Sequence, residues 1–166
     1  MNARWFKVLF VCALLAAGVW GWRVLFPNPE RVIRRQLAEL AKAASIAPNE
    51  GELARVVNSQ KLAGFFTPEV EITIDIPDHS LQTINGRDEV MKLAMSAHSS
   101  LSNVKVEFVD VNVSVEPTKD AATAHLTAKA NVPGDNVPQV QELKATFQKV
   151  GREWLINHVE TVRTLR

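Results

Sequence analysis

The chain predicts an α+β domain in which helices cover one face of an antiparallel sheet, with a transmembrane helix in front of it. Three observations lead there. The last third, from Asn103 to Arg166, is strand after strand with short polar turns between. The middle of the chain carries apolar residues at helical spacing. The first 26 residues contain a long uncharged run.

The strand-rich part reads V-K-V-E-F-V-D-V-N-V-S-V-E, then A-A-T-A-H-L-T-A-K-A-N-V, then Q-V-Q-E-L-K-A-T-F-Q-K-V, and after a Gly-Arg-Glu turn W-L-I-N-H-V-E-T-V-R-T-L. Four alternating segments joined by short turns form an antiparallel meander. Its apolar face needs a cover, and the upstream helices must supply it. Within the first segment, Val104, Val106 and Phe108 share one parity and Val109, Val111, Val113 and Val115 the other. A change of phase inside one strand predicts a bulge near Phe108 and Val109, which bends the sheet. The second segment lines Ala122, Ala124, Leu126, Ala128 and Ala130 along one face. Small side chains there suit closely packed helices or a second sheet from another copy.

The chain has 166 residues, room for an anchor and one domain. Nineteen basic against eighteen acidic residues exclude nucleic acid as the main partner, because phosphate binding needs a concentrated basic excess. Cys12 is the single cysteine, so no disulfide and no cysteine-based metal site can form within the chain.

Residues 1–26 read as a signal anchor. Arg4 and Lys7 precede the uncharged run Val8 to Trp22, and Arg23 follows it. Trp5, Phe6 and Lys7 at one end and Trp20, Trp22 and Arg23 at the other resemble interfacial belts, and residues 5–26 reach the length that a bilayer requires. A cleaved signal peptide, and hence a secreted protein, is the alternative, with Ala16, Ala17 and Gly18 as small residues for a protease. The bulky Trp20 and Trp22 argue for the anchor. Arg23, Arg31, Arg34 and Arg35 follow the span, so a count of positive charges does not favour export of the domain. A short basic tail before a first apolar segment as a rule stays in the cytoplasm, and the expectation that follows is a single-pass membrane protein with an extracytoplasmic, periplasmic domain.

Residues 27–29, P-N-P, form the linker, and residues 30–166 the domain. Asn28 is the expected N-cap of a first helix, with Pro29 at its first position and Ile33, Leu37, Leu40, Ala41 and Ala44 on its inner stripe. Arg31, Arg34 and Arg35 lie on the outer side, either solvated or against lipid headgroups. Asn49 with Glu52 predicts a capped second helix that carries Leu53, Val56 and Val57 and ends at Gly64. Val70, Ile72, Ile74 and Ile76 alternate with polar residues in a half-buried strand. S-L-Q-T-I returns as a short strand, Asn85-Gly86 breaks it, and Arg87 to His98 is a third helix with Val90, Leu93, Ala94 and Ala97 inward.

This order resembles the nuclear-transport-factor-2-like superfamily, which includes SnoaL-like and ketosteroid-isomerase-like domains. F-F-T-P-E-V-E-I is similar to its aromatic entry into the first strand. I-N-G-R-D-E-V is similar to its Gly-led helix entry, and F-Q-K-V-G-R-E-W-L-I-N-H-V-E to its last hairpin. The resemblance implies a cone-shaped α+β fold, a curved sheet around about three helices with a pocket at the open end, and dimers formed sheet to sheet. It does not imply one function.

The isomerases of that superfamily use a carboxylate base with a tyrosine and a protonated aspartic acid. This chain has no tyrosine. Asp75 and Asp78 lie near the place of the base without a matching motif. Asp75 alternates with Ile74 and Ile76 and is expected to face water or a turn. His79 sits in a turn, His125 on the polar side of its strand, and His98 at a helix end where a protonated ring suits the dipole. His158 shares a parity with Trp154 and Ile156 and is weighed between a hydrogen-bonded core histidine and a pocket group. No metal-ligand spacing, nucleophile elbow or nucleotide loop occurs. The expected ligand pocket is therefore Asp75, His98, Trp154 and His158, with no catalytic residue, metal or cofactor.

The functional expectation is a membrane-anchored, non-catalytic domain that takes a small apolar ligand or a protein partner, with a homodimer through the sheet possible. The alternatives are a small SnoaL-like or isomerase-like pocket enzyme, and an envelope assembly scaffold like the inner-membrane component of type IV secretion, which shares the plan of tail, span and domain.

Overall fold

A computed structural model describes residues 28–75, 81–134 and 137–162. The proposed anchor, residues 1–26, lies outside them, as do Ile76, Asp78 and His79. No helix among the described residues is long and apolar enough to cross a membrane.

The chain runs α1 (Pro29–Ala44), α2 (Glu52–Ala63), β1 (Phe66–Ile74), β2 (Gln82–Asn85), α3 (Arg87–Ser100), β3 (Lys105–Val115), β4 (Ala121–Asn131), β5 (Gln139–Val150) and β6 (Glu153–Thr161). The six strands form one sheet in the order β2-β1-β6-β5-β4-β3. The last four strands are the expected antiparallel meander. The sheet as a whole is mixed, however, because β1 joins β6 in parallel. β2, α3 and the strands β3 to β5 lie between β1 and β6 in the chain, and this long return lets β6 arrive in the same direction as β1.

α1 begins as expected, with the Asn28 side chain accepting from the Glu30 amide at 3.0 Å and Pro29 in the first turn. It buries Ile33, Leu37, Leu40, Ala41 and, rather than Ala44, Ala43. Ile33, Leu37 and Leu40 meet Val70, Ile72, Val113, Ala122, Ala124, Leu126, Phe147, Trp154 and Ile156 in one core. The alanine face of β4 is thus turned inward, onto the chain's own helix layer.

α2 departs from expectation. Its N-cap is Gly51, and Asn49 instead adopts a left-handed backbone at φ 58°. Asn49 and Pro48 belong to the turn that reverses the chain after α1, so the helix starts later than a capping box would place it. On this helix Leu53 is 78% and Val57 53% exposed, while Ser59 and Ala63 are buried. In α3, Val90, Ala94 and His98 face inward and Leu93 outward.

Three irregularities shape the sheet. The β3 bulge falls between Val109 and Asn112, two residues beyond the parity change, with Asp110 left-handed at φ 53°. The carbonyl of Val111, inside this bulge, accepts from Arg34 Nη1. β1 shifts register between Phe66 and Glu71, and the Phe66 carbonyl accepts from Arg87 Nε at 2.8 Å. β6 is irregular at Asn157, where Phe147 pairs with Ile156 but Thr146 pairs with His158. At two of these bulges an arginine from the helix layer thus satisfies a carbonyl.

Candidate functional site

The irregularity at Asn157 decides where the candidate histidine points. Consecutive residues Thr146 and Phe147 face opposite sides of the sheet, so their partners His158 and Ile156 do too. His158 therefore does not share a face with Trp154 and Ile156. It lies on the outer face in a row with Thr146, Thr123 and Glu71, beside a second row of His125, Lys144, Glu160 and Thr73. There Lys144 Nζ binds Glu160 Oε1 at 2.7 Å, and His158 Nε2 is 3.8 Å from Glu160 Oε2. The hydrogen bond and charge of Lys144, with a smaller contribution from His158, hold the Glu160 carboxyl below its usual range.

His98 goes elsewhere again. It is buried between α3 and the loop ahead of α2, with Nδ1 2.6 Å from Glu50 Oε2. Glu50 Oε1 also accepts from Asn58. Burial opposes ionisation of Glu50, yet the hydrogen bonds from His98 and Asn58 outweigh it and hold the carboxyl below its usual range. His98 Nε2 and Ser59 Oγ are buried without a hydrogen-bond partner among the described residues. Asp75 is half-buried at the end of β1, where its amide donates to Thr161 Oγ1 at 3.2 Å. Asp75, His98 and His158 are thus separated, one at a sheet end, one under the helices and one on the outer face.

Of the expected pocket group, Trp154 lines a cleft that Asp75, His98 and His158 do not line. That cleft, of about 460 Å³, lies between the outer side of α1, the end of α2 and the start of β6. Its apolar wall is Val32, Phe65, Trp154 and Leu155. Its polar wall is Arg35, Gln36, Glu39, Lys61, Arg152 and Glu153. The parts are tightly placed: Gln36 Nε2 donates to the Trp154 carbonyl, and the Ile156 amide donates to the Phe65 carbonyl at 2.9 Å. Lys61 Nζ binds Glu39 Oε2 at 2.9 Å. This bond and the Lys61 charge, then Lys42 and Arg35, lower the Glu39 pKa. Sequence reasoning missed Arg35, Phe65, Arg152 and Leu155 as neighbours, because they come from three elements far apart in the chain. Among the described residues no cluster of His, Asp and Glu suits a metal ion.

No family model matches this sequence, and no curated protein matches it. Solved structures do match. An NTF2-like protein with a cystatin-like fold from Novosphingobium aromaticivorans superposes with a TM-score of 0.63 at 20% identity, covering 89% of this chain and 86% of that one. A cystatin-like domain of unknown function from Nostoc punctiforme gives 0.63 at 15% identity over 85% and 80%. An NTF2-like protein of unknown function from Pseudomonas putida gives 0.61 at 12% identity over 81% and 85%. At such identities the likeness is one of architecture: the chain has the cystatin-like α+β fold of NTF2-like proteins.

Proposed function

We propose that this is a membrane-anchored binding domain without catalytic machinery, held by residues 5–26 on the extracytoplasmic side, whose cleft takes a small apolar ligand or a segment of a partner protein. The observation that carries this reading is the dispersal of the proton-handling groups. Acid–base catalysis needs such groups within hydrogen-bond reach of one reacting atom. Asp75 follows the end of β1, His98 is buried against Glu50, and His158 lies on the outer sheet face beside Glu160, so the three are not brought to one point. The cleft, in contrast, joins an apolar wall to a charged rim, the usual make-up of a ligand site.

The scaffold reading has its own support in Leu53 and Val57, an exposed apolar pair at i and i+4 on α2. A secreted form with a cleaved leader keeps the same cleft and loses only the anchor.

Native mass spectrometry of the full chain, released gently from membranes, tests the proposal. A copurified small molecule supports the ligand form, and a protein adduct the partner form. Turnover lost on Asp75→Asn or His158→Ala in a correctly folded chain would refute the non-catalytic reading. Resistance to alkaline extraction from membranes is expected if residues 5–26 are an anchor.

A further inference from the structure

The chemistry of the cleft wall narrows its ligand, on the reading that the cleft binds one. It is lined by three cations, Arg35, Lys61 and Arg152, and two carboxylates, Glu39 and Glu153. Lys61 and Glu39 close on one another at 2.9 Å and drop out of the balance. Arg35 and Arg152 remain against Glu153 alone, and all three are exposed. Arg152 has no hydrogen bond or ion pair among the described residues.

Guanidinium groups are the side chains best matched to carboxylate and phosphate, which they bind through paired N–H donors. Next to them stands an apolar wall that packing covers only in part. Val32 and Phe65 remain half-buried, beside Leu155, which is buried but stands outside the main core cluster. A charged end and an apolar end thus share one cleft. In the chain the site follows soon after the proposed anchor, since α1 begins at Pro29 and Val32 stands in its first turn.

We infer that this cleft binds a single-chain anionic amphiphile, its carboxylate or phosphate monoester between Arg35 and Arg152 and its chain along Phe65, Leu155 and Val32. Exchange of Arg152 for lysine keeps the charge and part of the binding, whereas glutamine removes both.

The test uses the full chain in phosphatidylcholine nanodiscs and calorimetric titration with octanoate, octyl phosphate, octanol and octyltrimethylammonium. The two anions are expected to bind at least about tenfold more tightly than octanol or the cation, a charge-assisted hydrogen bond being worth that much. Affinity should rise by up to about fourfold per methylene from butanoate to octanoate. Arg35→Gln and Arg152→Gln, both at exposed positions, should each cost octanoate about tenfold or more and leave octanol unchanged, with circular dichroism matching the parent. Competition of octanoate by phosphatidylglycerol placed in the nanodisc would assign the anion to a membrane lipid, and its absence to a free amphiphile. Equal binding of octanoate and octanol, indifferent to both arginines, would overturn the inference while leaving an apolar-ligand cleft in place. Tighter binding of the cation would overturn it as well. Failure of all four probes overturns it too, and the broader ligand reading then falls only if native mass spectrometry also finds no copurified small molecule.

Discussion

His98 Nδ1 lies 2.6 Å from Glu50 Oε2, and both side chains are at least 95% buried. This contact ties the turn before α2 to the last turn of α3, across a helix pair that otherwise packs through small residues such as Ser59, Ala63 and Ala94. Removing one partner strands a buried polar group. His98→Leu alone is expected to cost about 3–5 kcal/mol, whereas Glu50→Leu with His98→Leu recovers much of it. Urea unfolding of the two single variants and the double variant measures the coupling.

The same pair sets a pH dependence. The folded-state pKa of Glu50 is depressed by its hydrogen bonds from His98 and Asn58, despite the opposing effect of burial. A depressed carboxylate contributes stability that is complete above its unfolded value of about 4.5 and is lost as pH falls through the lower folded value. Unfolding midpoints measured from pH 7 down to pH 3 should therefore fall less steeply in Glu50→Gln than in the parent chain.

Arg34 and Arg87 are expected to act as structural clasps. Each donates to a carbonyl at a bulge, Val111 and Phe66 respectively. Arg34→Met or Arg87→Met removes a charge-assisted hydrogen bond and should cost about 1.5–3 kcal/mol in chemical denaturation. Arg31, exposed on the same helix as Arg34 and without such a contact in the described residues, should change stability by less than about 0.5 kcal/mol on the same substitution.

The hairpin between β5 and β6 turns in two residues, Gly151 and Arg152, with Gly151 at φ 62°. A Cβ added there would meet no atom within 4 Å, so the cost of Gly151→Ala is conformational alone. It should be about 1–2 kcal/mol, read as a lowered thermal midpoint. Because Arg152 borders the cleft, weaker octanoate binding is expected from the same change.

His158→Ala makes the opposite kind of prediction. Its side chain is 33% exposed on the outer sheet face, with Glu160 3.8 Å away and held more closely by Lys144. Stability should move by less than about 0.5 kcal/mol and ligand affinity should not move at all. A large loss of binding would place the ligand on the outer face instead of in the cleft.

Local pattern by itself determined the elements. Alternation in residues 104–161 specified the four meander strands, because side chains in a strand with one buried face must repeat every second residue. Asn28 with Pro29 specified the start of α1, and Gly86 and Gly151 marked breaks that need positive φ. Tertiary structure decided what pattern cannot carry. Parity along β6 put His158 with Ile156, but the irregularity at Asn157 reverses the face, and only pairing with Thr146 and Glu71 reveals it. Leu53 and Val57 are apolar at helical spacing, yet the packing of α2 leaves them exposed and buries Ser59 and Ala63 instead. The parallel joining of β1 to β6, the burial of His98 on Glu50, and the meeting of Arg35, Phe65, Arg152 and Leu155 all rest on long-range packing. Nearest-neighbour chemistry sets how each segment folds, while the direction in which segments meet is settled by how their buried faces fit together.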